Sequence, residues 1–341
     1  MAGTLAAGLT LLVIILVAWT WRRGAKARAE LAAKYPLPGK MVDVGGYRLH
    51  INCQGTAVAG SPTVVMEGGN AESCLTWAAV QPEVAKFTRV CTYDRAGLGW
   101  SERSPQPRTI TNIADELAAL LVGAGVEPPY VLVGHSIGGL FARFYAHQHP
   151  EQVVGMVLVD ASHEEQFLRF PESVLRIGRR SQKMMAGWLR LLVRLNSIGL
   201  LALLAGKGRG AWPTPIPDQV REAYLGVIYA DTRFFETSMK EAAAVEGNLA
   251  AVRAAKITTL GDIPLIVLSA GRSPIAAGHG ISADDAERVK ALMSELPAEL
   301  AALSPRGKRV VAEQSGHYIQ VEQPKLVIEA IREVVEAAQR R

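Results

Sequence analysis

Three residues far apart in the chain have the types and settings that acyl transfer needs. Ser136 is the centre of Gly134-His135-Ser136-Ile137-Gly138, between the β-forming Tyr130-Val131-Leu132-Val133 and Leu140-Phe141-Ala142-Arg143-Phe144-Tyr145-Ala146, which has helical spacing. A strand that turns into a helix at one residue needs small neighbours two before and two after the corner, and Gly134 and Gly138 supply them. The Ser136 hydroxyl then stands at a helix N-terminus, where unpaired N–H groups and the dipole favour the negative charge that develops on an attacked carbonyl. A bare Gly-x-Ser-x-Gly arises readily by chance in a chain with 32 glycines, so the flanking strand and helix carry the inference.

A serine hydroxyl has too high a pKa to act unaided and needs a base. His317, in Ser315-Gly316-His317-Tyr318 after the last predicted strand, is placed to take its proton. Asp160, ending the strand that follows the nucleophile's helix, is the expected partner for the imidazole, giving the chain order Ser136, Asp160, His317. The competing reading makes Asp160 the cap of a helix beginning in Asp160-Ala161-Ser162-His163-Glu164-Glu165.

These residues require a scaffold that delivers strand ends to one place. Met41 to Val44 and Tyr47 to Cys53 read as a hairpin around Gly45-Gly46, and apolar strands follow at 61–66, 87–93, 130–133 and 153–159. Helical stretches alternate with them, including one that contains Trp77 and an amphipathic one over 110–121. Unbroken apolar strands alternating with helices predict a mostly parallel central sheet covered on both faces, with ligands at the strands' carboxyl ends. From Ser162 to about Thr258 the alternation stops. Helices are expected over 172–195, 198–205, 217–229 and 234–255, an insertion of roughly ninety residues that reads as a lid or cap. Strands resume at 264–269 and 309–313, with helices over 283–303 and 324–340. The expected division is an N-terminal segment 1–35, a core in two parts, 36–160 and 259–341, and a helical cap, 161–258.

Composition fits an ordinary globular enzyme: 341 residues, 49% hydrophobic, 6% aromatic, 20% charged, net charge +5. No basic run interleaved with aromatics is present, so nucleic acid is not an expected partner. Cys53, Cys74 and Cys91 have no metal-ligand spacing and are expected to pack as small hydrophobes, without a structural disulfide framework; no metal or cofactor is called for. Leu5 to Trp21 is almost continuously apolar, about long enough to span a hydrocarbon core, and Arg22, Arg23, Lys26 and Arg28 follow at once. Charges after the apolar run, with Trp19 and Trp21 at its end, favour an uncleaved membrane anchor with the remaining domain in the cytoplasm. The alternative is export after signal cleavage near Ala27 to Ala29.

Four motifs in order resemble those of the α/β-hydrolase superfamily, in the branch of carboxylesterases, haloalkane dehalogenases and epoxide hydrolases: Gly68-Gly69-Asn70 with Trp77 downstream, Asp94-Arg95-Ala96-Gly97-Leu98-Gly99-Trp100-Ser101, the elbow, and Ser315-Gly316-His317. The resemblance covers about residues 40–340 and implies the α/β-hydrolase fold. It also implies an oxyanion hole of two backbone N–H groups, by position those of Asn70 and Ile137. Glu67-Gly68 stands where the family usually has His-Gly, so the first donor is open by one residue. Most relatives carry the acid after the strand ending Leu268-Ser269-Ala270-Gly271. Arg272-Ser273-Pro274 follows here, and the first carboxylates are Asp284 and Asp285, which stand as alternatives to Asp160. Dehalogenases and epoxide hydrolases attack with aspartate; serine at 136 implies an acyl-serine and ester cleavage, with amide or thioester cleavage and acyl transfer as variants. In the family the Asp94-Arg95 motif shapes the loop beside the oxyanion hole. A non-catalytic binding protein on the same scaffold is the other class.

The expected cap is basic and Leu- and Trp-rich. Between Glu172 and Asp218 it carries Arg176, Arg179, Arg180, Lys183, Arg190, Arg194, Lys207 and Arg209 and no acidic residue. Such a stretch suits an anionic membrane surface, which with the N-terminal helix points to a hydrophobic ester substrate. The alternative is an apolar face over the site with solvated charges.

Overall fold

An eight-stranded sheet gathers the chemistry-bearing residues at the carboxyl ends of its strands. The structure, a computed structural model, describes residues 2–205, 218–272 and 280–340. Lys207, Arg209, Ser273 and Pro274 lie outside the described residues.

The chain opens with helix α1 (Ala2–Lys34), then strands β1 (Lys40–Asp43), β2 (Arg48–Gln54) and β3 (Thr63–Glu67), a 3-10 turn (Cys74–Trp77), helix α2 (Gln81–Val84) and β4 (Val90–Tyr93). Next come α3 (Ile110–Ala124), β5 (Tyr130–His135), α4 (Ile137–Gln148) and β6 (Val153–Val159). Five helices then follow without a strand among the described residues: α5 (Gln166–Arg169), α6 (Glu172–Ser197), α7 (Leu200–Ala205), α8 (Asp218–Ala230) and α9 (Arg233–Ala255). The chain returns through β7 (Leu265–Ala270), α10 (Ala283–Ala301), β8 (Gly307–Ala312), α11 (Ile319–Glu322) and α12 (Pro324–Gln339).

The strand order is β1-β2-β4-β3-β5-β6-β7-β8, antiparallel through β1, β2 and β4 and parallel from β4 onward. The parallel strands are buried on both sides, which explains their lack of polar alternation. One face packs against α3, α4 and α9, the other against α2, α11 and α12.

One expectation is corrected. Cys53 and Cys91 do not pack as free thiols but form a disulfide, while Cys74 is free and buried. The antiparallel pairing of β2 with β4 sets Cys53 directly opposite Cys91, a neighbourhood that a sequence separation of 38 conceals.

α1 is one continuous helix through the apolar run and the basic residues after it. Its first half is exposed along Leu9 to Trp21, and it is the only helix among the described residues long and apolar enough to cross a membrane. Its second half packs on α7 and α8. Gly24 meets Gly199 so closely that a Cβ on Gly24 would lie 2.2 Å from the Gly199 Cα. Arg28 Nη1 donates to the Asn196 carbonyl at 2.9 Å, and Trp100 Nε1 donates to the Tyr35 carbonyl at 3.3 Å.

Candidate active site

Ser136 sits between β5 and α4 with φ 54° and ψ −125°, a left-handed backbone that a serine adopts only when its surroundings force it. Those surroundings are close backbone contacts. A Cβ at position 134 would lie 2.6 Å from the Gly139 Cα, and one at position 138 would lie 2.4 Å from the Gly68 carbonyl oxygen.

Asp160 ends β6, also at positive φ (41°). Its Oδ1 accepts the Ala270 N–H at 2.9 Å and its Oδ2 lies 2.6 Å from His317 Nδ1. β7 thus fixes the carboxylate while the loop after β8 brings the imidazole to it. Ser136, Asp160 and His317 all line one cavity of about 430 Å³, whose far wall is Leu292, Met293, Leu296 and Pro297. Among the described residues no hydrogen bond joins Ser136 to His317, and such pairs commonly tighten only around substrate. Asp284 and Asp285 lie in the first turn of α10, where Asp285 accepts the Ser173 hydroxyl at 2.5 Å; neither is the carboxylate paired with His317.

A second cavity of about 610 Å³ meets the first at Ser136 and is lined by Asn70, Ile137, Phe167, Met239 and the inner side of α6. Ile137 is the first residue of α4, where a backbone N–H has no intrahelical acceptor. In the loop after β3, Gly69 N–H donates to Glu72 Oε2 at 2.8 Å and Ala71 N–H to Glu241 Oε2 at 3.2 Å. Asn70 lies between them, and among the described residues its N–H has no hydrogen-bond partner.

Arg95 holds the same loop by its carbonyls. Its Nη1 donates to the Gly68 oxygen at 2.7 Å and to Glu67 Oε1 at 2.5 Å. Its Nη2 donates to the Gly69 oxygen at 2.6 Å and to Glu241 Oε2 at 2.8 Å, and its Nε to Glu241 Oε1 at 2.8 Å. All five guanidinium protons are used. Burial pushes the Glu67 carboxyl up to about 7 against the opposing Arg95 charge. Burial would likewise raise Glu241, but Arg95 outweighs it and holds Glu241 below the carboxylate range.

Sequence reasoning missed a further pair, Glu72 and His135. Both are buried, and Glu72 Oε1 lies 2.8 Å from His135 Nδ1 as an ion-pair contact off the line of the ring N–H. His135 Nε2 donates to the His317 carbonyl at 2.9 Å, and the two imidazole centroids are 4.6 Å apart. The carboxylate beside Nδ1 and the carbonyl accepting from Nε2 favour the charged imidazolium by electrostatics. Burial lowers its pKa, but Glu72 outweighs that and the net shift is upward; Glu72 is correspondingly lowered although burial opposes it. The only sequence cue was position: His135 precedes Ser136, and Glu72 is two residues past Asn70.

A third buried group, His50, Cys74 and Asp94, brings three metal-type donors within 4.8 Å. The Asp94 oxygens accept from Cys74 N–H at 2.7 Å, Trp100 N–H at 3.1 Å and His50 Nδ1 at 2.7 Å, and His50 Nε2 faces the Pro38 carbonyl. These bonds tie the Asp94-Arg95 loop to β2.

Residues 62–209 match the family described as alpha/beta hydrolase fold. An AB hydrolase superfamily protein of Gibberella zeae is 26% identical over 302 residues, 80% of this chain and 86% of that one. A vacuolar membrane protein of Saccharomyces cerevisiae is 32% identical over 149 residues, 39% of this chain but 23% of its own length. Three other curated relatives are likewise spanned over only 20%, 28% and 39% of their length. Among solved structures, Est816, an N-acyl homoserine lactone degrading enzyme, superposes with a TM-score of 0.59 at 19% identity, covering 87% of this chain and all of that one. That likeness shows the α/β-hydrolase fold.

Proposed function

We propose that this member of the α/β-hydrolase superfamily is a serine hydrolase that cleaves carboxylic esters through an acyl-serine intermediate. The observation that carries the reading is the meeting of a strained Ser136, the Asp160–His317 pair and two free main-chain amides around one junction of cavities.

In the first half-reaction His317 Nε2 takes the Ser136 proton as Oγ bonds to the acyl carbon, and the carbonyl π pair moves to oxygen. Asn70 and Ile137 N–H receive that oxyanion, at a contribution of about two to three orders of magnitude in rate per donor. Asp160 holds His317 with Nδ1 protonated and stabilises the imidazolium. The tetrahedral species collapses, the acyl carbon–alkoxy bond breaks, and Nε2 returns the proton to the departing alcohol. Water then repeats the sequence on the acyl-serine and releases the acid.

The proton must reach the leaving oxygen, so the alcohol belongs on the His317 side, in the 430 Å³ cavity. The acyl group then occupies the 610 Å³ cavity between α6 and α9, whose Phe167, Met185, Leu189 and Met239 suit a hydrophobic chain. The helices α5 to α9 act as the cap. α1 supplies a membrane anchor, a role that the vacuolar membrane relative also supports. An amidase, thioesterase or acyltransferase would use the same groups; an acyltransferase would need an added acceptor.

The test is release of p-nitrophenol from short and medium acyl esters. The proposal expects turnover by the purified protein and its loss in Ser136→Ala; equal turnover by the variant would contradict it.

Two observations bear on the side of the membrane. Arg22, Arg23, Lys26 and Arg28 just beyond the apolar run support the cytoplasm. The Cys53–Cys91 disulfide supports the oxidising, exported side. Thiol alkylation in intact cells, with mass spectrometry of Cys53 and Cys91, decides: on the exported side they react only after reduction.

A further inference from the structure

α6 is amphipathic in an unusual sense, because its solvent side is itself apolar. Its inner side packs Leu189, Leu192, Val193 and Leu195 against the cluster formed with Tyr224, Ile228 and Phe235. On the outer side Met184, Trp188 and Leu191 are 63%, 58% and 42% exposed. At 3.6 residues per turn their spacing of four and three makes one stripe along the helix. Beside it runs a basic row, Arg176, Lys183 and Arg190 at intervals of seven, of which Lys183 and Arg190 also border the cavity at Ser136; Arg180 and Arg194 lie nearer the exposed apolar stripe. The only acidic residue of α6 is Glu172, already paired with Arg179. A helix facing water turns its charges outward and its apolar residues inward; α6 keeps apolar residues on both sides and sets its cations at the boundary.

A second observation places this face. The end of α6 is stitched to α1 by the Arg28–Asn196 bond and the Gly24–Gly199 contact. These lie three to seven residues beyond Trp21, about 5–10 Å along α1 at 1.5 Å per residue. Trp19 and Trp21, both exposed, end the apolar part of α1 as interfacial aromatics do.

We propose that α6 lies on the surface of an anionic lipid bilayer, in the leaflet next to the basic end of α1. Met184, Trp188 and Leu191 enter the headgroup–acyl boundary, and Arg176, Arg180 and Arg194 meet the lipid anions. The consequence for substrate rests on the esterase reading. Ala186 and Leu189 on the inner side of the same helix, with Met185, 57% exposed at the cavity rim, wall the cavity at Ser136, so a hydrophobic ester reaches the site from lipid without crossing water.

The test uses the full chain in vesicles of phosphatidylcholine with phosphatidylglycerol. A bimane label on Trp188→Cys is compared with one on Val122→Cys, an 80% exposed position on α3. Cys74 is buried and the other two cysteines are bonded, so labelling is selective. The proposal expects brominated lipid to quench the label at 188 but not at 122, and aqueous iodide to quench the label at 122. It also expects quenching at 188 to fall about tenfold without phosphatidylglycerol. Iodide quenching at 188 equal to that at 122 would overturn the docking, and indifference to phosphatidylglycerol would overturn the anionic surface. In parallel, Met184→Ser with Trp188→Ser and Leu191→Ser should lower turnover of a vesicle-borne long-chain ester while leaving soluble p-nitrophenyl butyrate unaffected. A wild-type protein inactive on both esters would refute the hydrolase reading, and the quenching result would still decide the position of α6.

Discussion

Asp160 serves the imidazole through one oxygen and is itself fixed through the other, so its two bonds separate by substitution. Asp160→Asn keeps the shape but offers His317 no charge and favours the wrong tautomer. The expected outcome is a fall in kcat of about three to four orders of magnitude with KM little changed. Glu72 behaves differently, because it touches neither cavity and acts through His135 and Gly69. Glu72→Gln retains an acceptor for the Gly69 N–H but leaves His135 buried without its counter-charge, a loss of about 3 kcal/mol in denaturant unfolding. Unchanged stability would show that the pair is not charged in the folded protein. The elbow, His317 and Asp160 were legible because each lies at or just beyond the carboxyl end of a predicted strand. The Glu72–His135 pair was not, since nothing in either local pattern says that the loop after β3 folds onto the elbow.

At the scale of elements, the loop carrying Asn70 is held from the helical segment as well as from the sheet. Glu241 of α9 reaches Arg95 and Ala71 N–H, and the Tyr224 hydroxyl of α8 donates to the Ala71 carbonyl at 3.0 Å. α8 in turn packs against α1. Removing the Glu241 charge therefore disturbs more than one helix. Glu241→Gln is expected to destabilise by about 2–4 kcal/mol and to lower kcat on a soluble ester more than it raises KM. A variant with altered stability but intact kcat would detach α9 from any role in positioning the loop that carries Asn70. Periodicity predicted these helices within a few residues, because each is long and apolar on one side. It could not predict Glu241 as a ligand of Arg95, since a lone carboxylate on a helix face reads as solvated.

For the whole molecule, the parallel sheet was legible from unbroken apolar strands, whereas the Cys53–Cys91 bond depended on a register fixed only when β2 meets β4. Stability should also carry a pH signature from the packed interior. The folded Glu67 carboxyl keeps its proton up to about 7, against 4.5 for the ordinary value, so its contribution is complete below 4.5 and is lost as pH rises through about 7. Relative to Glu67→Gln, the wild-type protein should therefore lose stability between these values, by on the order of 2–3 kcal/mol. Parallel stability curves for the two proteins would mean that Arg95 keeps Glu67 ionised throughout.

The most direct test of the whole account is covalent. A fluorophosphonate reports a serine activated by its surroundings, and peptide mapping by mass spectrometry reports which serine it is. The account predicts one adduct per chain, on the peptide containing Ser136, abolished in Ser136→Ala and strongly slowed in His317→Ala. No adduct on folded protein, or an adduct on another serine that survives Ser136→Ala, would contradict it.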